Sequence, residues 1–324
     1  MIAQNSSVER NRRLGIFAKK LPGMLLTVFR FVVLFGLIFM IIYPFIFMFV
    51  TAFRSEVDLN DPSVVWITRH YTLDNFKRFL GMVNFPDMMI FTMVISLSCA
   101  VLQTFVCALA GYAFARFKFR GRNFLFVLLL FTIIVPEQTF IMQLFLKFRF
   151  FSPPGISLLF KLFTGKSSLN LLNTPFPFII QSMFGMGIRS GLFIYIFRQF
   201  FRSLPSELEN AACIDGSNAL HTYFTVMVPN AIPAFVTVSM LSFVWNWNDY
   251  LSQSFLNMSR HSVATFLYSI HGTISVATQN MEDPTVMYIL IQSGTLLCIA
   301  PLIFVFLFGQ RYFTESVERT GIVG

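Results

Sequence analysis

Long runs of apolar residues alternate with shorter polar stretches along the whole chain. A helix needs about 20 consecutive apolar residues to cross a bilayer, and six runs reach that length. They predict an all-α integral membrane protein with six transmembrane helices in one domain over 24–310, between terminal segments 1–23 and 311–324. The six runs cover about residues 24–50, 88–115, 124–147, 177–200, 229–252 and 286–310.

The positive charges predict which side of the membrane each loop faces, because cytoplasmic loops carry an excess of Lys and Arg. With the amino terminus placed inside, the inner segments hold 14 of these residues and the outer segments hold 10. The bias is strongest over 116–122, where four basic residues crowd the short loop between the second and third runs. Both termini and this loop are therefore predicted to be cytoplasmic.

The composition excludes an ordinary soluble enzyme. Of the 324 residues, 56% are hydrophobic, 12% are charged and 43 are Phe, which is far more apolar than soluble domains are. A net charge of +9 would suggest nucleic acid as the partner of a soluble protein, but in a membrane protein it reports orientation. The basic and aromatic run 116–120 is interpreted as an anchor to anionic membrane lipid, with no nucleic-acid partner.

No grouping of residues suggests catalysis, a metal site or a cofactor. The four His residues are scattered, and the four Cys residues lack the CxxC spacing of metal sites. The Gly-Lys-Ser run at 165–167 ends like a phosphate-binding loop, but Phe160 stands where that motif requires glycine. We therefore expect a non-enzymatic chain, for which any energy from ATP would come from another subunit.

Residues 203–233, which we call the elbow, form the longest non-spanning segment on the predicted inner side. Ser206 and Glu209 have the spacing of a capping box, which predicts a helix start there. Asp215-Gly216 predicts a turn, and a second helical stretch should begin near residue 217. The pattern favours a rigid helix-turn-helix, and an amphipathic connector lying on the bilayer is the alternative.

The elbow resembles the cytoplasmic coupling loop of binding-protein-dependent ABC importer permeases. That loop has the pattern Glu-Ala-Ala, three residues, Gly, nine residues, then Ile, any residue, Leu-Pro. Asn210 stands at the position of the family's Glu, so Glu207 or Glu209 would have to supply an acid. Val226 and Val228 replace Ile and Leu. The matching residues are Ala211, Ala212, Gly216 and Pro229.

The segments 111–123, 196–216 and 245–251 extend the resemblance to the maltose-type, carbohydrate-uptake branch of that family, over roughly residues 24–320. It implies a permease subunit in the cytoplasmic membrane of a prokaryote, paired with a second homologous permease. It also implies two cytoplasmic ABC ATPase subunits that bind ATP and magnesium, and an extracytoplasmic solute-binding protein that delivers a carbohydrate. The residues expected to couple to the ATPase are Glu207, Leu208, Glu209, Asn210, Ala211, Ala212, Asp215 and Gly216.

Seven residues within the runs are candidates for the solute pathway. An ionisable side chain costs roughly 2.5–3.5 kcal/mol at the centre of a span, so it usually faces a cavity or a partner. Aromatic rings cover the C–H faces of a sugar, while amides and carboxylates bind its hydroxyl groups. A structural salt bridge and an interfacial aromatic belt are the alternatives. The candidates are Glu137, Arg189, Trp245, Asn246, Trp247, Asn248 and Asp249.

Two other functions stay open from the residues alone. An ion-gradient-driven secondary transporter would need no ATPase, although the sequence contains no internal repeat that would support it. A membrane-embedded enzyme would need a clustered nucleophile, metal ligands or paired carboxylates, which the apolar runs do not offer. The outer segment 152–176 is longer than is usual in the family, so its contact with a binding protein is left open.

Overall fold

The computed structural model of the chain describes residues 2–59, 61, 63–64, 67–152, 165, 168–279 and 283–321. Within these ranges the regular structure is helical, and β pairing is limited to two isolated bridges. Most of the predicted outer segment 152–176, including the Lys-Ser pair of the Gly-Lys-Ser run, lies outside the described residues.

The helices follow one another along the whole described chain, and two short helical turns of other geometry accompany them. A 3₁₀ turn covers Glu137–Thr139, and a π-helical turn covers Tyr223–Met227. The α-helices are α1 (Ile2–Ala52), α2 (Glu56–Leu59), α3 (Asp74–Met82), α4 (Phe85–Arg116), α5 (Arg122–Ile134), α6 (Ile141–Arg149), α7 (Phe176–Met183), α8 (Ser190–Ser203), α9 (Glu207–Ile214), α10 (Ala219–Thr222), α11 (Val228–Asn230), α12 (Ile232–Trp247), α13 (Tyr250–Leu256), α14 (Val263–Ala277) and α15 (Pro284–Gly321).

In the part of the chain that the structure describes, three helical segments are long and apolar enough to cross a membrane without interruption. They are Gly23–Ala52 in α1, Phe85–Arg116, which is α4, and Pro284–Arg311 in α15. The first, second and sixth predicted runs therefore each lie in one continuous helix.

The other three runs are broken, unlike the regular spans that their length predicts. The third run breaks at Val135-Pro136, because proline lacks an N–H and disfavours helical backbone in the residue before it. The fourth breaks between α7 and α8, where Gly185 and Arg189 both have positive φ. The fifth breaks at Asn248, between α12 and α13. The total of six spans therefore stays a prediction.

The described chain divides into two compact units. The smaller unit contains residues 1–79 and 283–296, and the larger contains residues 80–282 and 297–324. In the smaller unit, no residue of the most apolar window of α1 is buried. That window of α1 therefore offers its side chains to lipid or to another chain, whereas the carboxyl-terminal turn of the helix is buried at Met48, Thr51 and Ala52.

The larger unit is built around α4, which packs against α8 and α12. The approach to α8 is close at Gly111, where an added Cβ would lie 2.5 Å from the Phe197 Cβ. Such small residues let two membrane helices come together closely enough to pack. Fully buried side chains between these helices include Cys107, Phe197, Phe201 and Val238.

In the smaller unit, one buried carboxylate organises the segment that follows α1. Asp58 is 2% exposed and accepts hydrogen bonds of 2.7 Å from the backbone N–H groups of Arg69 and His70. The His70 Nδ1 atom lies 2.7 Å from the other carboxylate oxygen. Burial by itself raises the pKa of Asp58, but these hydrogen bonds outweigh it and hold the pKa below its usual range.

Candidate functional site

A cavity of about 480 Å³ lies where the three broken runs meet in the larger unit. Its wall includes residues from each break: Val135 and Glu137 from the first, residues 185–190 from the second, and Asn246 and Asp249 from the third. The breaks therefore have a common consequence, because they interrupt three helices at one place and leave a space between them. Apolar side chains such as Phe131, Phe140 and Phe178 line most of the rest.

The structure brings six of the seven pathway candidates to this cavity or to a hollow beside it. The hollow has a volume of about 400 Å³ and shares Glu137 and Asp249 with the cavity. Trp247 differs from the expectation, because it is 1% exposed, lines neither space and packs its ring against Phe243. The other candidates are distributed as follows: Arg189 and Asn246 line the cavity, and Trp245 and Asn248 line the hollow.

Arg189 is held at the edge of the cavity by an aromatic ring. Its guanidinium carbon lies 4.3 Å from the centre of the Trp245 ring, a cation–π geometry. Its backbone has φ +58° and forms the amino-terminal cap of α8. Glu137 lies in the same wall, but the two side chains form no ion pair of 4 Å or less in the described part of the chain. The guanidinium is thus held by a ring surface, and no hydrogen bond occupies its N–H donors among the described residues.

Asp249 and Asn246 combine a structural role with a place on the cavity wall. The Asp249 carboxylate accepts a hydrogen bond of 2.9 Å from the Ser252 N–H and caps α13. The Asn246 side chain donates to the Ser242 carbonyl at 2.8 Å. With Glu137, these groups place oxygen acceptors beside apolar walls. Such a surface can bind hydroxyl donors while it covers C–H groups.

Gln103 is a positioning residue that the sequence analysis missed. It is fully buried in α4, and its Nε2 donates to the Ile188 carbonyl at 2.6 Å and to the Ser190 Oγ at 2.7 Å. Its Oε1 accepts a hydrogen bond of 2.6 Å from the Ser242 hydroxyl. One amide therefore ties α4 to the second break and to α12. The available signal was a Gln inside an apolar run, since a buried amide in a span requires partners.

The elbow contains the helix, the turn and the second helical stretch that its sequence predicts. Asp215 is the carboxyl-terminal cap of α9. The next residue, Gly216, has φ +82°, a conformation that glycine adopts at no steric cost. The Ser217 N–H donates to the Ala212 carbonyl at 2.9 Å, which closes the turn. Asn218 then caps α10 by accepting a hydrogen bond of 2.9 Å from the His221 N–H.

The predicted capping box is wrong. Ser206 already has helical backbone angles, and its side chain makes no capping hydrogen bond. Glu209 turns instead toward α4, where its carboxylate accepts a hydrogen bond of 2.8 Å from the Tyr112 hydroxyl. Its second oxygen lies 3.2 Å from the Arg116 Nε. The two α4 side chains give the carboxylate a hydroxyl donor and a group of opposite charge.

The turn side of the elbow exposes apolar side chains. Ile214 is 86% exposed, Leu220 is 63% exposed and Phe224 is 58% exposed. Exposed apolar groups rimmed by polar residues are typical of protein contact sites. Of the eight coupling candidates, Ala212 is buried, Leu208 and Glu209 are partly buried, and the exposed ones are Glu207, Asn210, Ala211, Asp215 and Gly216.

Among the residues that the structure describes, no three His, Cys, Asp or Glu side chains come together in a way that could hold a metal ion. Cys99, Cys107 and Cys298 are buried free thiols, and Cys213 is an exposed one on the elbow. The two spaces and the elbow are therefore the features from which a function can be argued.

The chain has relatives among characterised transport proteins. It is 26% identical to the arabinooligosaccharides transport system permease protein AraQ of Halalkalibacterium halodurans over 230 residues, 71% of each chain. It is 25% identical to the maltodextrin transport system permease protein MdxG of Bacillus subtilis over 256 residues, 78% of this chain and 81% of that one.

A solved structure shares the fold. The chain resembles a crystal structure of a bacterial ABC transporter involved in the import of the acidic polysaccharide alginate, with a TM-score of 0.67 and 20% identity. The match covers 89% of this chain and 96% of that one. At this identity the likeness establishes the fold alone.

Residues 103–319 match the sequence model of the family described as binding-protein-dependent transport system inner membrane component. The matched range is about two thirds of the chain, and it contains the elbow, the three breaks and Gln103. It confirms the resemblance that the elbow pattern suggested. The chain belongs to the family of binding-protein-dependent transport system inner membrane components.

Proposed function

We propose that this chain is the transmembrane permease subunit of an ATP-driven, binding-protein-dependent ABC importer for a carbohydrate. The observation that carries the proposal is the family match over residues 103–319, which includes a folded elbow at the position of the coupling loop. The subunit would form half of the translocation pathway in the cytoplasmic membrane of a prokaryote, with six spans and both ends in the cytoplasm.

A carbohydrate is supported by the relatives and by the chemistry of the cavity. Relatives are named for arabinooligosaccharides, maltodextrin, lactose and trehalose. The cavity offers the oxygen acceptors of Glu137 and Asp249 beside aromatic and aliphatic walls. Sugars present hydroxyl donors around apolar ring faces, so this combination of groups is suited to them.

The proposed partners follow from the family. A second, homologous permease would complete the pathway, two ABC ATPase subunits would bind ATP and magnesium, and a binding protein outside the membrane would deliver the solute. The elbow is the segment offered to the ATPase, because its turn side exposes Ile214, Leu220 and Phe224 without burying them in its own chain.

The proposed cycle is alternating access. Closure of the ATPase pair on ATP pushes the elbow, the helices rock, and the cavity opens outward to receive the solute. Hydrolysis then returns the helices to the inward-open arrangement. Broken helices at the cavity assist this cycle because short segments joined by loops can tilt without a whole span bending.

The test is purification of the tagged chain in mild detergent, with identification of the proteins that accompany it. We expect an ABC ATPase and a second permease. Gly216→Val should reduce the recovered ATPase several-fold, since a β-branched residue is strained at φ +82°. Gly216→Asn is the matched control and should retain the ATPase, because Asn tolerates this conformation.

Two outcomes would contradict the proposal. In the first, the chain purifies without an ATPase yet accumulates solute in vesicles on an ion gradient alone. In the second, Gly216→Val and Gly216→Asn recover the same amount of ATPase as the natural chain while both remain inserted in the membrane.

A further inference from the structure

The elbow is joined to α4 by a compact cluster of three side chains. The Glu209 carboxylate accepts a hydrogen bond of 2.8 Å from the Tyr112 hydroxyl through one oxygen. Its other oxygen lies 3.2 Å from the Arg116 Nε, so the two charged groups form an ion pair. Tyr112 and Arg116 are one helical turn apart near the end of α4, and both therefore face the same carboxylate.

Arg116 also holds the connection between α8 and α9. Its Nη2 donates a hydrogen bond of 2.6 Å to the carbonyl of Leu204, the carboxyl-terminal cap of α8. One guanidinium thus binds a backbone group before the elbow helix and a side chain within it. Rotation of α9 about the short connection would break one of these contacts.

Burial strengthens the cluster. The side chains of Arg116 and Glu209 are 14% and 18% exposed, so their attraction is screened less than that of a surface pair. The Tyr112 ring contacts the Phe201 and Tyr223 rings, with centroids 5.5 Å and 5.0 Å away. These rings fix Tyr112 against α8 and the π-helical turn. Displacement of α9 alone would separate a desolvated ion pair, which is unfavourable compared with movement of α9 and α4 together.

The middle of α4 is bonded to residues that line the cavity. Gln103 lies 13 residues before Arg116 on the same helix, about 20 Å along its axis. Its amide binds Ile188 at the second break and Ser242 on α12. A shift of α4 therefore acts directly on the second break and on α12, the helix that leads to the third break.

We propose that Glu209, Tyr112 and Arg116 form a latch that makes α4 move with the elbow, and that these are positioning residues for transport. The inference rests on the proposed function. It also assigns different roles to the two acids that could replace the missing family Glu at Asn210. Glu209 is directed inward to the latch, whereas Glu207 is exposed and makes no side-chain hydrogen bond or ion pair within the described residues.

The experiment uses the assembled complex, with spin labels on Gln138→Cys and Met183→Cys in a Cys213→Ser background. Both labelled residues are exposed near the cavity, and the remaining native cysteines are buried. The measured quantity is the fraction of complexes whose label-to-label distance changes when ATP is added under conditions that block hydrolysis. In the complex with the natural latch, ATP should clearly change the label-to-label distance.

With ATP bound, each complex is in equilibrium between the label-to-label distance seen without ATP and the changed distance. Glu209→Gln and Arg116→Gln should each shift this equilibrium about tenfold toward the distance seen without ATP, while ATP hydrolysis by the complex continues. The double variant Glu209→Arg with Arg116→Glu should restore part of the change through the reversed ion pair, which loss of folding would not permit, while the hydrogen bond from position 116 to the Leu204 carbonyl stays lost. Arg202→Gln on α8 is the charge control, and Tyr195→Phe is the hydroxyl control for Tyr112→Phe. Both controls lie outside the latch and should respond like the natural chain.

The latch is overturned if the Glu209→Gln complex changes its label-to-label distance on ATP as the natural complex does. It is also overturned if the charge-reversed pair assembles into a complex that recovers none of this distance change. Failure of the proposed function gives a different result: the natural chain recovers no ATPase, or its complex binds ATP with no change in distance. The two failures are therefore distinguishable in one set of samples.

Discussion

At the residue scale, single polar side chains connect parts of the chain that are far apart in sequence. Gln103 holds a break that lies 85 residues further along, and Tyr112 binds a carboxylate 97 residues away. Both are polar groups in largely apolar surroundings, where a satisfied hydrogen bond is strongly preferred over an unsatisfied one. These contacts fix where the second break and the elbow lie relative to α4.

Asp58 makes a similar contribution in the smaller unit, and its effect should depend on pH. Its pKa is held below the ordinary value of about 3.9 by hydrogen bonds from His70 and Arg69 that exist only in the folded chain. A carboxylate with a lowered pKa in the folded state stabilises above its unfolded pKa. That stabilisation is lost as the pH falls through the folded pKa.

Asp58→Asn should therefore speed hydrogen exchange at the Arg69 and His70 amides at pH 6, after correction for intrinsic exchange rates. The difference from the natural chain should persist at pH 4 and disappear only as the pH falls through the lowered pKa of the folded Asp58, because the natural carboxyl group is then protonated as well. Equal protection of these amides in the two proteins at pH 6 would show that the carboxylate does not organise this segment.

The spacing of residues in sequence does not predict a side-chain partner that lies on another helix. The Ser206–Glu209 spacing predicted a capping box, but the structure gives Glu209 to Tyr112 and Arg116. Local spacing identifies a partner three residues away, and it contains no information about a partner on another helix. The turn at Gly216 was predictable, because the requirement for positive φ is local.

At the element scale, the apolar runs predicted the helical character of the chain and six spans, and in the described residues three of these runs lie in uninterrupted helices. They did not predict where the other runs break. Pro136 carries a local signal for the first break. The second break depends on Gln103 binding the Ile188 carbonyl from another helix. Breaks of this second kind require tertiary contacts, and a single sequence does not display them.

Packing of α4 against α8 leads to a prediction for Gly111. A methyl group there would meet the Phe197 Cβ at 2.5 Å and the Arg198 backbone nitrogen at 3.0 Å. Gly111→Ala should therefore force the two helices apart and destabilise the chain by about 1–3 kcal/mol. The measurement is the midpoint of thermal unfolding of the purified protein in detergent.

Gly36→Ala is the matched control, because nothing lies within 4 Å of an added Cβ at Gly36 in α1. Its unfolding midpoint should stay unchanged or rise slightly, as alanine favours helix over glycine. If Gly111→Ala unfolds at the same temperature as Gly36→Ala, the close approach of α4 and α8 is not present in the protein.

At the scale of the whole molecule, the chain contains a cavity, an elbow, and the helix α4, which contacts the elbow and is bonded to the cavity wall at Ile188. Its sequence contains no nucleotide-binding motif. In the proposed transport function, a separate ATPase would supply the energy, and this chain would convert movement of the elbow into movement at the cavity. The class of protein was predictable because the elbow pattern is specific. The latch and the broken helices became visible only in three dimensions.

The most direct measurement is photochemical cross-linking from Cys213, an exposed native thiol on the elbow. A photoactivatable maleimide is attached in native membranes, and the cross-linked partner is identified by mass spectrometry. Met258→Cys in a Cys213→Ser background is the control, since Met258 is 66% exposed but lies in the loop between α13 and α14.

We expect Cys213 to form an adduct with an ABC ATPase subunit and the Met258→Cys control to form none. An elbow that cross-links only to lipid, or a Met258→Cys chain that captures the ATPase while Cys213 does not, would contradict this expectation.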